Sequence, residues 1–285
     1  MSNQHGEGPG KDRVWLITGT SSGFGRELTR AVIAHGDRVV ATARDVAALD
    51  DLMRIAPDRI RAVRLDVTDA ESVRGAVAEA ERAFGRIDVL VNNAGAGLLG
   101  AFEELSESDL RRNFETNVFG AMAVTRAVLP LLRRQRSGHI VQMSSVIGVK
   151  AGPGGTAYAG TKFALEGMSE ALAAEVAHLG IRVTIVEPGP FRTEFGGRSL
   201  RWGTPMEDYA DLIAPARKAL EASHGTQPGD PYRGAEAIIA AIGLDEPPLR
   251  LPLGAEAFGW IRTHLLARLE ELDAVEAIGA DTAFR

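Results

Sequence analysis

The sequence predicts an α/β fold in which helices cover both faces of a doubly wound parallel sheet. Three observations predict it. Short runs rich in Val, Ile and Leu recur along the chain, separated by longer segments with a helical apolar period. The runs are almost continuously apolar, as parallel strands buried on both faces require. Their regular alternation with helical segments implies right-handed crossovers between parallel strands.

The elements follow in order. "RVWLIT" (13–18), "RVVATA" (38–43) and "IRAVRL" (60–65) have strand length and composition, as do "IDVLVN" (87–92), "HIVQMS" (139–144) and "RVTIVE" (182–187). Between the third and fourth runs, residues 70–85 place Val73, Val77 and Phe84 on one helical stripe. In 162–180 the stripe is Leu165, Met168, Leu172, Val176 and Leu179, and Gly180 is positioned to end the helix. The tail carries Phe258, Ile261, Leu265 and Leu269 at helical spacing, which predicts a packing or subunit-contact helix over about 255–272. Residues 1–12 are polar and glycine-rich and read as a flexible tail; 13–285 read as one domain, with no internal repeat or linker.

Composition narrows the function. A net charge of −6 gives no reason to expect a polyanionic partner, and no basic stripe interleaved with aromatics favours nucleic acid. Without cysteine there is no disulfide, thiolate nucleophile or Cys-based metal site, and the six histidines have no zinc-ligand spacing, so no metal is expected. The start of the chain lacks the apolar core of a secretion signal, and no apolar run is long enough to cross a bilayer. The expectation is a cytoplasmic protein that uses a small-molecule substrate and neither nucleic acid nor membrane.

A doubly wound sheet binds ligands beyond the carboxyl ends of its strands. There, after the first run, stands "TGTSSGFG" (18–25), which opens a helical segment. Gly19, Ser21, Ser22, Gly23, Phe24 and Gly25 are therefore the candidate cradle for a pyrophosphate, with backbone N–H groups and a helix N-terminus facing the anion. The glycine spacing is G-x-x-x-G-x-G, not the common G-x-G-x-x-G. At the end of the second run the acidic residue expected for NAD is replaced by Ala43 and Arg44. A guanidinium suits a 2′-phosphate, so NADP(H) is favoured over NAD(H); the competing reading is a surface ion pair of Arg44 with Asp45.

The chain holds four lysines, Lys11, Lys150, Lys162 and Lys218, and Lys162 follows Tyr158 by one helical turn in "YAGTK". With "LDVTD" (65–69), "NNAG" (92–95), "NVFG" (117–120), "MSSVIG" (143–148) and "PGPFRT" (188–193), this order of motifs resembles the short-chain dehydrogenase/reductase family, over about residues 13–193. The resemblance is to its single-domain branch of Rossmann type, and more weakly to its retinol and 17β-hydroxysteroid dehydrogenase-like members. It implies Asn117, Ser145, Tyr158 and Lys162 as the catalytic set. Ser145 rather than Ser144 aligns as the catalytic serine. The resemblance also implies dinucleotide contacts from Asp66 and Val67, from Asn93, Ala94 and Gly95, from Tyr158 and Lys162, and from Pro188, Gly189 and Thr193. "YAGTK" departs from the family's frequent Ala-Ser before the lysine, but the residues stay small. Relatives often form homo-dimers or homo-tetramers through the long helices after strands four and five.

The chemistry explains the residue types. Carbonyl reduction needs a hydride on carbon and a proton on oxygen. A phenol has an ordinary pKa near 10, and a neighbouring ammonium is expected to lower it. A lysine presents that charge compactly, where arginine presents a planar fork. Ser145 is placed to donate to the substrate oxygen, and Asn117, by resemblance, to hold a relay water. Substrate choice should lie in 194–232, where Phe195, Leu200, Trp202, Met206 and Tyr209 are candidate apolar walls, together with "GLLGAF" (97–102) and "VIGV" (146–149). Arg198 and Arg201 read as solvated surface charge or as partners of a substrate carboxylate. The leading reading is an NADP(H)-dependent oxidoreductase interconverting a carbonyl and an alcohol. The alternatives are an epimerase or dehydratase with unconsumed cofactor, and a non-catalytic NADP-sensing protein.

Overall fold

Each apolar run folds as a parallel strand, and the alternation of side chains along it feeds two separate cores. In the computed structural model, which describes residues 12–284, Trp15 and Ile17 point to one face of the sheet and Val14 and Leu16 to the other. The tail expected over 1–12 lies outside the described residues except for Asp12. The chain runs β1 (Val14–Ile17), α1 (Gly23–Ala34), β2 (Arg38–Ala43), α2 (Asp50–Ile55), β3 (Ile60–Arg64), α3 (Ala70–Phe84) and β4 (Val89–Asn92). It continues through β5 (Gly97–Leu99), α4 (Glu107–Phe114), α5 (Ala121–Gln135), β6 (Gly138–Met143), α6 (Thr156–Val176) and β7 (Ile181–Pro188). Last come β8 (Leu200–Trp202), α7 (Ala210–Ala222), α8 (Pro231–Ile242), β9 (Arg250–Leu253) and α9 (Ala255–Gly279).

The main sheet among the described residues has seven parallel strands in the order β3-β2-β1-β4-β6-β7-β9. The chain winds outward from β1 to β3, returns to β4 and winds the other way, so a crevice opens between the ends of β1 and β4. On one face Leu28 and Val32 of α1 and Ile238 and Ile239 of α8 pack on Trp15, Val39 and Val91. On the other, Val73 of α3 and Val124 and Val128 of α5 pack on Leu16, Val40 and Ile140. Filling both faces in this way is what makes the strands apolar throughout.

Local signals set the helix ends. Asp69 accepts from the N–H groups of Glu71 and Ser72 at the start of α3, and Gly85 ends that helix in the left-handed conformation. Asp230 caps α8 in the same way, with Pro231 at its first position. Helix α6 begins six residues before Lys162 and gives way to a short 3-10 turn that stops at Gly180. The turn before β2 is tied down by Asp37, which is 2 % exposed. It accepts from the backbone N–H groups of Asp12 and Arg13, from Arg13 Nε and from Trp15 Nε1 at 2.9–3.1 Å. No described helix is long and apolar enough to cross a membrane.

Candidate active site at the crevice

The glycine-rich turn after β1 is built from the backbone outward. Gly19 has φ +71°, and a β-carbon there would lie 3.0 Å from Ala94 Cα. Asn93 locks the turn: its Nδ2 donates to the carbonyls of Thr18 and Gly19 at 2.9 and 3.0 Å. A β-carbon on Gly25 would sit 2.4 Å from that nitrogen and 2.5 Å from Gly19 O. Thr18 Oγ1 in turn accepts from the backbone N–H groups of Asn93 and Ala94. Asn93 is thus placed as a brace for the turn, with its amide hydrogens committed.

Helix α1 starts just after Ser22, whose side chain makes no capping hydrogen bond, and its first turn holds no acidic residue. Its N-terminal dipole and N–H groups therefore face the crevice with no side-chain cap and no acidic residue in the first turn. They open on a cavity of ≈ 540 Å³ lined by Ser21, Ser22, Gly23 and Thr193, with Arg26, Arg192 and Arg198 outnumbering the carboxylates Glu27 and Glu194. A close backbone approach, an uncapped helix N-terminus and arginines around one cavity fit a dinucleotide pyrophosphate. Thr193 faces Gly23, and Arg198 donates to Ser21 O at 3.3 Å, so Arg198 reaches the turn. Phe24 points away from the cavity and stacks on Phe191 at 4.8 Å between ring centroids. Pro188 pairs with Leu253, and Gly189 N–H donates to Leu253 O, so both are held by β9.

Beyond the turn, Arg44 is exposed at the end of β2. Asp66 accepts from Thr68 N and Thr68 Oγ1 through one oxygen, at 3.0 and 2.7 Å. These bonds hold its carboxyl below the usual range, and the guanidiniums of Arg44 and Arg64 add to the effect. Two cationic groups therefore flank one carboxylate where the adenosine end of a dinucleotide would lie. Val67 is buried against Gly120 and, with Gly95 against Asn117, walls this side of the crevice.

The expected catalytic residues meet at the strand ends. Asn117 lies in a π-helical stretch, Glu115–Gly120, between α4 and α5, an irregularity frequent at functional sites. Its Oδ1 accepts from Ala96 N at 2.8 Å, and its Nδ2 donates to Ala96 O at 2.8 Å and Thr161 Oγ1 at 3.0 Å. Asn117 is thereby a clasp between α6 and the segment entering β5. Tyr158 and Lys162 sit one turn apart on α6 and are both buried, and Lys162 Nζ lies 5.6 Å from the Tyr158 ring centroid. Ser145 and Ser144 diverge: Ser145 faces the Tyr158 phenol, whereas Ser144 turns toward Glu166.

The electrostatics correct one expectation. Burial pushes the Tyr158 phenol well above its ordinary value, and Ser145 offsets this only in part. Lys162 does not reverse the shift, because its ammonium donates to Met143 O at 2.7 Å and its own pKa is pushed down to about 8 by burial. Glu166, one further turn along α6, partly holds that lysine charge in place.

Sequence reasoning missed what lies behind Lys162. Glu166 and Glu187 are both buried, Glu187 at 1 % exposure, and share Arg250 at 3.2 and 3.5 Å; Glu170 also reaches that guanidinium. Burial raises both carboxyls, Glu187 to about 7 with a further push from the Glu166 charge. Ser144 Oγ faces Glu166 without a well-formed hydrogen bond. The available signal was the i, i+4, i+8 series Tyr158, Lys162, Glu166, which puts the glutamate on the same face of α6 as the other two.

On the substrate side, Phe195 packs on Tyr158 with ring centroids 5.1 Å apart. Strand β8 pairs in parallel with β5, joining "GLLGAF" to the segment after Thr193, and Phe195 and Leu200 both close on Gly97. The other candidate walls lie farther out. Trp202 stacks under Arg217, Tyr209 donates to Glu103, and Met206 is exposed. Arg201 is exposed and its charge bears on Asp109.

The family described as short chain dehydrogenase matches residues 13–202. Human retinol dehydrogenase 8 is 40 % identical over 291 residues, covering 96 % of this chain and 89 % of that protein. A crystal structure of a short-chain dehydrogenase from Streptomyces avermitilis is 45 % identical, with a TM-score of 0.91 over 96 % of this chain and 100 % of its own. A Burkholderia phymatum short chain dehydrogenase/reductase solved with NAD is 25 % identical (TM-score 0.80; 91 % and 95 % covered). An alcohol dehydrogenase from the archaeon Thermococcus sibiricus, complexed with 5-hydroxy-NADP, is 28 % identical (TM-score 0.70; 85 % and 96 % covered).

Proposed function

Since the chain belongs to the short-chain dehydrogenase family and is a dehydrogenase/reductase, we propose that it interconverts a carbonyl and an alcohol on a hydrophobic small molecule, with NADP(H) as its dinucleotide. The observation that carries this reading is the buried Tyr158, met by Ser145 on one side, by Lys162 one turn along α6 and by the Phe195 ring. The glycine turn and the N-terminus of α1 would hold the pyrophosphate, and Asp66 the adenine. Arg44, with Arg64 beside it, favours a 2′-phosphate. The nicotinamide, when bound, supplies or accepts the hydride.

The protein handles the proton. With its pKa raised by burial, Tyr158 keeps its proton at Oη across the neutral range, the state needed to protonate a carbonyl oxygen during reduction. Ser145 donates to the same substrate oxygen and stabilises the charge that develops there. The Lys162 ammonium lies close enough to Tyr158 to ease the phenolate left after transfer. Asn117 keeps α6 and the segment before β5 in register, so that phenol and substrate wall stay aligned. Phe195 and Leu200 give the pocket an apolar wall, and the name of the retinol dehydrogenase relative points to the same class of lipophilic alcohol.

The test is a panel of hydrophobic ketones, aldehydes and alcohols, run with NADPH and with NADH and read by nicotinamide absorbance. Tyr158→Phe should lower turnover roughly 10²–10⁴-fold, the range of general acid–base catalysis, while dinucleotide affinity stays within about threefold. Near-wild-type turnover in that variant would sink the proposal.

A further inference from the structure

Helix α9 leaves the body of the protein after its first two turns. Ala257 and Ile261 are buried against Val146, in the loop that carries Ser145. From Arg262 onward nearly every position is exposed, including Leu265 (52 %), Leu269 (53 %) and Leu272 (63 %). A helix of 25 residues spans about 37 Å, so its exposed part projects by roughly two-thirds of that length. Exposed Val275 and Ile278 stand apart, but the leucines are grouped. Arg262, Leu265, Leu266, Leu269, Leu272, Asp273 and Glu276 follow a 3-4 spacing and lie on one face.

About Leu269 that face is matched at three residues and complementary in charge at seven, while at four residues Leu265 on one side answers Asp273 on the other. Three residues to either side stand Leu266 and Leu272; seven residues to either side stand Arg262 and Glu276. The charged ends have opposite sign, and neither has an ion-pair partner elsewhere among the described residues.

We propose that α9 is a self-pairing arm, in which two copies of the chain join their α9 helices antiparallel about a two-fold axis at Leu269. In that register Leu266, Leu269 and Leu272 of the two helices meet at the centre, Arg262 of each copy faces Glu276 of the other, and Asp273, opposite Leu265, lies one turn from the same Arg262. A parallel pairing would set Arg262 against Arg262 and Glu276 against Glu276. The charge also argues against a lipid surface as the occupant. Beyond Ile261 the helix carries Arg262 and Arg268 against Glu270, Glu271, Asp273 and Glu276 and has no lysine, whereas surface-lying helices are rich in basic residues. The exposed length suits the overlap, because each body then sits at the opposite end of the paired helices. The interface is isologous and closed, so it yields a defined assembly and not a filament.

The experiment uses the full chain in analytical ultracentrifugation across about 1–100 µM, with flotation on phosphatidylcholine vesicles, with and without phosphatidylserine, alongside. The wild type should self-associate, and Leu269→Asp should lower the assembly by one two-fold step, from dimer to monomer or from tetramer to dimer. Arg262→Glu alone places like charges against Glu276 and should weaken association roughly tenfold or more. Combining Arg262→Glu with Glu276→Arg restores the pairing with signs exchanged and should return the affinity to within about threefold. All these residues are exposed, so circular dichroism should be unchanged throughout. The proposal is overturned by a wild type that stays monomeric, by an assembly that Leu269→Asp leaves intact, by a double variant as weak as the single one, or by vesicle binding that depends on Leu269.

Discussion

Replacing Gly25 by alanine probes the joint between the sheet and the glycine turn, and the structure sets the size of the effect. The added β-carbon would fall 2.4 Å from Asn93 Nδ2 and 2.5 Å from Gly19 O, about 1 Å inside ordinary contact on both sides. Relief means moving Asn93, which breaks its bonds to the Thr18 and Gly19 carbonyls. Each of the two bonds contributes about 1 kcal/mol, and overpacking a tight site adds typically ~1–3 kcal/mol, so a loss of about 3–5 kcal/mol follows. In a chain of this size that lowers the melting temperature by about 5–8 °C. Because the N–H groups of the turn shift with it, dinucleotide affinity should also drop roughly tenfold or more, read by calorimetric titration. Gly75→Ala is the control: in mid-α3 its β-carbon meets nothing within 4 Å, and helix propensity should make it stabilising by up to about 1 kcal/mol. A Gly25→Ala variant that melts with the wild type and binds dinucleotide equally would refute the packing argument.

Two further outcomes follow from the electrostatics. Arg44→Ala should weaken NADPH binding about 10–100-fold and leave NADH within about threefold; equal losses for both would mean that Arg44 does not read the 2′-phosphate. Glu187 titrates near 7 in the folded chain against 4.5 unfolded, so the folded state binds the extra proton and this contribution to stability is lost as pH rises from about 4.5 to 7. Glu187→Gln should therefore gain on the wild type through that window, by on the order of 1–2 kcal/mol in denaturant melts, and a pH-independent difference would show that the carboxyl is not held up by burial.

Strand content was legible wherever the apolar run was long. The six expected runs correspond to β1, β2, β3, β4, β6 and β7 with ends shifted by a residue or two. What escaped was short or set by distant pairing. Strand β9 is four residues with a proline, which argues against a strand by local rules, and it forms because β7 offers an open side. Strands β5 and β8 are three residues each and exist only through one another. Tyr158, Lys162 and Ser145 were legible as a set because motif order carries over from relatives. The direction of the Tyr158 shift was not, since spacing along a helix reports neither burial nor that Lys162 turns its ammonium to Met143 O. Glu166 and Glu187 were hidden for a related reason: a glutamate beside a helix stripe or a strand end looks solvated until Arg250 is brought to it from 63 residues beyond Glu187.

The outermost strand carries one more consequence. Open borders of a sheet are templates on which stray strands nucleate insoluble aggregates. In β9 the carbonyls of Leu249 and Leu253 point inward to β7, so positions 250 and 252 turn their backbone groups outward. There the chain has Arg250, a charge, and Pro252, which has no N–H to offer. The far border, β3, presents exposed Arg61 and Arg64. Neither rim welcomes a foreign strand, which should keep the chain dispersed while it folds.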